Sequence, residues 1–130
     1  CVIDLDTVMP GLCAFDFGDS IRAGATTAAE DERIFPRSAL TWSCLRLHRR
    51  VPLRGGRRLT PLELDTLPDG AILMTFEVGI RFLADYLNGD VYFKTKYPQH
   101  NLDRARNQFH LVAEMEAKRD ETQTVVDAYL

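Results

Sequence analysis

The chain has 130 residues, of which 45% are hydrophobic and 27% are charged, and its formal net charge is −3 at pH 7. This length accommodates one domain or less, and the composition is ordinary for a globular protein. No run of about 18 or more apolar residues occurs and no charged-then-apolar signal peptide opens the chain, so we expect no membrane span. Three cysteines without CxxC spacing favour a reducing cytoplasm over a disulfide framework.

The chain opens with an apolar run at residues 2–5 that predicts the end of a β-strand. Asp4 and Asp6 would share one face of that strand, because side chains alternate along it. Magnesium takes oxygen ligands, usually one or two carboxylates together with substrate phosphates. The pair is therefore a candidate metal site, although the same spacing also occurs in solvated turns. Because the chain starts inside this predicted strand, we expect a truncated or trimmed protein.

The next stretch predicts mainly irregular structure. Pro10-Gly11 marks a turn. Residues 15–21 fit a loop that leads into a helix, and the small, acidic residues 26–32 fit a loop or a helix start.

Residues 33–58 contain eight arginines and no acidic residue, so the remaining 104 residues carry a net charge of −11. Proline and paired glycines prevent any long element in this segment. One interpretation is a basic module that binds nucleic acid or phosphate groups. Few aromatic residues are interleaved for stacking and the rest of the chain is acidic, so a solvated or disordered segment is the favoured interpretation.

The C-terminal half is regular. Thr60-Pro61-Leu62-Glu63 predicts a capping box with proline at the first helical position. The apolar periodicity of residues 71–87 predicts a helix that ends at Gly89. Its predicted buried face comprises Ile72, Phe76, Ile80, Leu83 and Leu87. A last helix is predicted to start at His100-Asn101, with Asn101 as its cap and a ligand role for His100 as the minor alternative. Its predicted apolar stripe comprises Leu102, Ala105, Phe109, Val112 and Met115.

Several segments resemble those of one enzyme group. VIDLDTVMPGLCAFDFGDSIRAGATTAAEDE is similar to the metal-binding segment of the N-acetylhexosamine 1-kinases, which belong to the aminoglycoside phosphotransferase and choline kinase superfamily. GIRFLADYLNGDVYFKTKYPQHNLDRARNQF and LVAEMEAK are similar to the C-terminal helices of that group. The resemblance covers residues 1–32 and 59–118. It implies an α+β, mostly α-helical fold: the C-terminal lobe of a kinase-like protein with a short N-terminal strand or hairpin.

In the domain organisation that this resemblance implies, residues 1–32 form a metal-binding strand and loop, and residues 59–130 form a helical subdomain. The Arg-rich segment between them is atypical, because the hexosamine kinases carry an acidic amphipathic helix there. A compensated frameshift across residues 35–57, in the gene or in its assembly, is one hypothesis for this difference.

The resemblance also implies roles for individual carboxylates. Asp4 matches the strand-end aspartate that binds magnesium between the nucleotide phosphates, the counterpart of the DFG aspartate of protein kinases. Asp6 would add a second or water-mediated contact. The run DFGD at residues 16–19 lies too far along the chain for that role, so we interpret Asp16 as a structural brace. Asp19 and Arg22 would extend its polar network.

Two further positions match sugar contacts of the hexosamine kinases. Arg81 offers fixed donors to hydroxyl and amide oxygens, and the Tyr92 ring can cover an apolar sugar face. The alternative for Arg81 is an ion pair with Glu77 or Asp85 on the same helix, and the alternative for Tyr92 is a core aromatic. Arg119 stands near the position where the family often has tryptophan.

The family uses ATP and Mg²⁺ to phosphorylate the anomeric hydroxyl of N-acetylglucosamine or N-acetylgalactosamine. Phosphoryl transfer also needs a phosphate-covering loop, a lysine and a catalytic-loop Asp and Asn. In this superfamily these elements precede the DLD segment at residues 4–6. We therefore expect a fragment that lacks the N-terminal lobe and is inactive alone. A non-catalytic remnant and a basic interaction module are the alternatives.

Overall fold

A computed structural model describes residues 8–27, 29–33 and 59–127. These ranges are mostly α-helical, as predicted, and they contain no β-strand. The predicted strand at residues 2–5 lies outside them. In chain order the helices are α1 (Cys13–Gly24), α2 (Pro61–Asp65), α3 (Leu67–Leu87), α4 (His100–Ala117) and α5 (Arg119–Asp127). Among the described helices, none is both long and apolar enough to cross a membrane.

Helix α1 begins earlier than the sequence indicates. Residues 15–21 were expected to form a loop leading into a helix, but they lie inside α1. The preceding residue, Leu12, makes no side-chain cap hydrogen bond. Phe17 and Ile21, one turn apart, are buried in the core shared with α3. We infer that tertiary packing rather than a local start signal stabilises this helix.

The start of α2 confirms the predicted capping box. The Thr60 hydroxyl accepts the Glu63 backbone N–H at 3.3 Å, and the Glu63 carboxylate accepts the Thr60 backbone N–H at 2.6 Å. Pro61 occupies the first turn, where its missing N–H is not needed. The backbone N–H of Thr60 lowers the pKa of Glu63, because it stabilises the charged carboxylate.

Helix α3 is the centre of the unit and packs against both α1 and α4. Its buried face differs from the predicted one: Phe76 and Ile80 are exposed, and Leu87 is 73% exposed. The buried positions are instead Leu67, Pro68, Gly70, Ala71, Thr75, Gly79, Phe82 and Asp85. The physical reason is that the neighbouring helices approach α3 along its small residues, and this close approach turns several larger side chains outward.

The closest approach joins α1 and α3 at two glycines. A Cβ atom on Gly18 would lie 2.6 Å from the carbonyl carbon of Gly70 and 2.9 Å from Met74 Cγ. A Cβ atom on Gly70 would in turn lie 2.8 Å from the Ala14 Cβ. Real Cβ atoms do not approach other atoms this closely, so this helix crossing requires glycine on both helices.

Helix α4 begins at His100 as predicted, but Asn101 does not cap it. The N-cap position is Gln99, which has a left-handed backbone (φ +70°). The Asn101 side chain is fully buried and hydrogen-bonded inside the protein instead. Of the predicted apolar stripe, Ala105 and Met115 are buried. The other three members, Leu102, Phe109 and Val112, are only half-buried.

The C-terminal helix α5 is tied to α3 by an ion pair. The Arg119 guanidinium donates to both carboxylate oxygens of Asp69, at 2.7 and 2.8 Å. These hydrogen bonds lower the pKa of Asp69. Val126 on the same helix is buried in the core. Arg119 therefore links α5 to α3.

Candidate functional site

The chain leaves α3 through a tight connection at residues 88–93, which we call the binding turn. Gly89 (φ +91°) and Asp90 (φ +60°) both have left-handed backbones. The Gly89 N–H bonds to the Tyr86 carbonyl, and the Asp90 N–H bonds to the Asp85 carbonyl at 2.8 Å. Gly89 thus occupies the position after the C-cap Asn88, as the sequence predicts.

A single carboxylate organises the rest of the binding turn. Oδ1 of Asp85 accepts the backbone N–H groups of Val91 (3.0 Å) and Tyr92 (2.8 Å). Oδ2 accepts the N–H of Phe93 at 2.9 Å. Asp85 is only 5% exposed. Three consecutive backbone amides therefore converge on one buried acidic side chain.

Asn101 connects this arrangement to α4. Its Nδ2 donates to Asp85 Oδ2 and to Asp90 Oδ1, both at 2.9 Å. Its Oδ1 accepts a hydrogen bond from Arg104 at 3.1 Å, which fixes the orientation of the amide. Hydrogen bonds thereby join the start of α4 to the last turn of α3 and to Asp90 in the binding turn.

The side chains of the binding turn form a small aromatic surface. The Phe93 ring packs against the Phe82 ring at a centroid distance of 4.7 Å, and the Tyr92 ring meets the Phe93 ring edge-on at 4.8 Å. Tyr92 is 74% exposed, so the interpretation of Tyr92 as a core aromatic is wrong. Its ring instead faces solvent at the end of α3.

Arg81 lies beside this surface. Its guanidinium carbon is 5.8 Å from the Tyr92 ring centroid and 5.6 Å from that of Phe93. It also pairs with Glu77 at 3.7 Å, as one alternative anticipated, whereas Asp85 is occupied by the binding turn. Both members of the Arg81–Glu77 pair are about half-exposed, and exposed pairs of this kind contribute about 0.5 kcal/mol or less. Arg81 can therefore exchange this partner for a ligand.

The two residues thus combine a solvent-facing ring with a half-exposed guanidinium. Such a combination suits a neutral polar ligand with one apolar face, because the ring covers that face while the guanidinium donates hydrogen bonds. The Asp85 carboxylate is saturated by protein donors. The surface formed by Arg81, Tyr92 and Phe93 therefore offers hydrogen-bond donors and an aromatic face to a ligand.

A second polar cluster anchors the segment at residues 29–33 to α4. His100 is fully buried, and its Nδ1 accepts the Lys96 backbone N–H at 3.2 Å. The ring proton must therefore lie on Nε2, which faces Asp31 Oδ2 at 3.1 Å. Because protein groups engage both ring nitrogens, this geometry gives no support to a ligand role for His100.

Further contacts extend this anchor. Asn107 donates to the carbonyls of Ala29 and Glu30 at 2.9 and 3.1 Å. Arg33 is the one residue of the Arg-rich segment within the described ranges. It pairs with Asp103 at 2.7 Å, and its guanidinium carbon lies 4.7 Å from the Tyr97 ring centroid. Arg33 therefore contacts residues of the protein itself, Asp103 and Tyr97.

The carboxylates assigned to a structural network lie on α1. Asp19 pairs with Arg22 at 3.0 Å, and Arg22 also reaches Glu30 at 3.6 Å. That Asp19 and Arg22 extend a polar network around Asp16 stays a prediction. Asp16 is exposed, and its backbone carbonyl accepts the Ser20 hydroxyl at 2.8 Å. Its role as a brace for a catalytic loop stays a prediction.

The predicted metal ligands Asp4 and Asp6 lie outside the described residues. Within residues 8–27, 29–33 and 59–127, no group of three His, Cys, Asp or Glu side chains is placed to hold a metal ion. The magnesium site therefore stays a prediction from the sequence resemblance.

A groove of about 560 Å³ lies between α3 and α4, away from the binding turn. Its walls are mainly apolar and include Leu73, Phe76 and Phe109, with Asp69 and Glu116 also contributing. Neither Arg81 nor Tyr92 lines it. We place the candidate site at the binding turn because the polar and aromatic groups converge there.

Acid is expected to open the binding turn. Burial alone raises the pKa of Asp85, but the N–H groups of residues 91–93 and the Asn101 amide outweigh it, so the pKa falls below the ordinary value of 3.8. A lowered folded-state pKa means that this stabilisation is complete above about pH 4 and is lost as the pH falls through the folded-state value. Amide chemical shifts of residues 91–93 in an NMR titration should move together, with a midpoint below 3.8. A midpoint above pH 4 would contradict the hydrogen-bonded geometry.

The sequence resemblance pointed to Arg81 and Tyr92 as site residues. It gave Asp85 only as an ion-pair alternative and Asn101 only as a helix cap, whereas these two residues hold the binding turn. One signal was present: Asp85 is an acidic residue in the last turn of a helix, where the helix dipole disfavours negative charge. An acidic residue at such a position indicates that nearby hydrogen-bond donors stabilise its charge. No model of a known protein family matches this sequence.

Proposed function

We propose that this chain provides the acceptor-binding part of an ATP-dependent kinase that phosphorylates the anomeric hydroxyl of N-acetylhexosamines. One observation carries the proposal. Arg81 and Tyr92, the two residues that the sequence resemblance assigns to the sugar, lie together on one solvent-facing surface. They come from different elements, a helix and the turn that follows it, and the buried carboxylate of Asp85 holds that turn in place.

The chemistry of this surface suits a pyranose with an N-acetyl group. Tyr92 is 74% exposed, which leaves room for a sugar to stack its C–H face on the ring. The Arg81 guanidinium offers several N–H donors in a fixed plane to a hydroxyl or to the acetyl carbonyl. Phe93 extends the apolar surface beneath them.

We assign only acceptor binding to the described residues. In the proposed enzyme, Asp4 and Asp6 would hold Mg²⁺, which neutralises charge on the nucleotide phosphates when bound. Asp16 and Asp19 would support that region. The phosphate-covering loop, the phosphate lysine and the catalytic Asp and Asn would come from a further lobe. The 130 residues alone would then bind the sugar without transferring phosphate to it.

The test is an NMR titration of the chain with N-acetylglucosamine and with N-acetylgalactosamine. We expect saturable shifts in residues 81 and 91–93. Arg81→Ala should weaken binding at least tenfold, because a hydrogen bond to a charged group contributes about 1.5–3 kcal/mol. Tyr92→Ala should have an effect of similar size, because it removes the stacking surface.

Arg106→Ala is the matched control for Arg81→Ala. Arg106 is also an exposed helical arginine with a nearby acidic partner, Asp103 at 3.6 Å, but it lies on α4. This variant should bind the sugar like the parent chain. Absence of saturable shifts in the parent chain, or equal losses in Arg81→Ala and Arg106→Ala, would rule out the proposed sugar site.

A further inference from the structure

We propose that Asp85 is a positioning residue for the sugar site: it sets Tyr92 beside Arg81 through hydrogen bonds that never touch the ligand. The part of this inference that concerns sugar affinity rests on the proposed function. The part that concerns the placement of the Tyr92 ring stands on the geometry alone.

Asp85 controls the backbone at Tyr92. The N–H groups of Tyr92 and of both its neighbours, Val91 and Phe93, donate to the Asp85 carboxylate at 2.8–3.0 Å. Because three consecutive amides are hydrogen-bonded to one carboxylate, the backbone dihedral angles of Val91 and Tyr92 have little freedom to change. The direction in which the Tyr92 side chain leaves the backbone is therefore determined by Asp85.

Helix α3 can end at Leu87 without the Asp85 carboxylate. The Gly89 N–H already satisfies a carbonyl of the last turn of α3, with the left-handed backbone typical of a C-terminal glycine. A buried carboxylate near a helix C-terminus is unfavourable both for solvation and for the helix dipole. We infer that the Asp85 carboxylate occupies this unfavourable position because it stabilises the binding turn.

Asp85 also contacts α4, the helix that follows the binding turn. Asn101, which is fully buried, uses both hydrogens of its amide nitrogen on Asp85 and Asp90. Asp90 is the third residue of the binding turn and has a left-handed backbone. Asn101 thus fixes the Asp85 carboxylate relative to Asp90 in the binding turn. Asp85 and Asn101 therefore act together.

The experiment is Asp85→Asn, which keeps the side-chain shape but replaces one acceptor oxygen by an NH₂ group that faces backbone N–H donors. In the sugar-free chain, we expect loss of the nuclear Overhauser contacts between the Tyr92 ring and the Arg81 side chain. Affinity for N-acetylglucosamine should fall at least tenfold, while far-ultraviolet circular dichroism keeps its helical signal. Glu116→Gln, an exposed neutralisation on α4, should change neither quantity.

Each outcome decides one proposal. Retention of the ring contacts and of the affinity in folded Asp85→Asn overturns the positioning role. A parent chain that binds no sugar overturns the proposed function, and the ring contacts then still decide the positioning role by themselves.

A second variant covers the case in which Asp85→Asn fails to fold. Asp90→Gly removes one acceptor of Asn101 at a half-exposed position whose left-handed backbone glycine adopts readily. We expect weaker ring contacts and about a threefold loss of affinity, a smaller effect than that of Asp85→Asn because the three backbone N–H bonds to Asp85 remain. Unchanged contacts in this variant would overturn the inference that Asp85 acts together with Asn101.

Discussion

Replacing Gly18 with alanine is expected to destabilise the helical unit by about 3 kcal/mol, at the upper end of the usual cost of overpacking. Helix propensity alone predicts the opposite sign, because alanine is favoured over glycine inside a helix by about 1 kcal/mol. The collision prevails because the new Cβ would lie 2.6 Å from the carbonyl carbon of Gly70, and a backbone atom cannot rotate away. Relief would require α1 and α3 to move apart and expose Phe17 and Ile21.

Urea unfolding followed by circular dichroism measures this free energy. Gly11→Ala is the control, because its Cβ would meet nothing closer than 4.0 Å, and it should be neutral or slightly stabilising. Gly79→Ala is a useful intermediate case. Its Cβ would lie 2.9 Å from the ring edge of Phe109, a side chain that can shift, so the loss should be smaller. A Gly18→Ala protein as stable as the parent would show that the helices cross at a greater distance.

His100→Leu is expected to be the second most damaging change, because it leaves two polar groups without their partner. The Lys96 backbone N–H would lose its acceptor, and Asp31 would lose the Nε2 donor. A buried polar group left unpaired costs about 1–3 kcal/mol, and because Asp31 is partly exposed and keeps Lys96 at 3.8 Å, we expect a total loss of about 1–3 kcal/mol. The segment at residues 29–33 should also become more accessible to proteases.

Lys96→Ala is the matched control for this prediction. It keeps the backbone N–H that His100 accepts and removes only the exposed ammonium, which lies 3.8 Å from Asp31. We expect a change within about 0.5 kcal/mol, since exposed ion pairs contribute little. If Lys96→Ala were as destabilising as His100→Leu in the same urea experiment, the ion pair rather than the buried imidazole would hold the segment.

The two polar clusters meet on α4. His100 anchors the segment at residues 29–33, and the adjacent Asn101 holds the binding turn. The two consecutive residues at the start of one helix therefore connect the segment that follows α1 to the turn that follows α3. This arrangement explains why two polar side chains are fully buried at the beginning of α4, where the sequence predicted Asn101 as a helix cap.

The sequence predicted local features well and helix faces poorly. The capping box of Thr60 and Glu63 and the left-handed Gly89 are set by residues within one turn, so short motifs identify them. The buried face of α3 depends instead on how closely α1 and α4 can approach. Large apolar residues such as Phe76 and Ile80 suggest one face, but the small residues Gly70 and Gly79 permit the closer contact.

The candidate site divides in the same way. Arg81 and Tyr92 were identifiable from the sequence by their resemblance to sugar contacts and by the chemistry of their side chains. That these two side chains lie together, and that Asp85 and Asn101 hold the turn between them, was decided by tertiary structure. Hydrogen bonds between a helix end, a turn and the next helix join residues whose spacing follows no local period. The sequence by itself therefore determined the capping box that starts α2 and the glycine that follows α3. Only the packing of the helices decided where α1 starts and which side chains are buried, paired or open to a ligand.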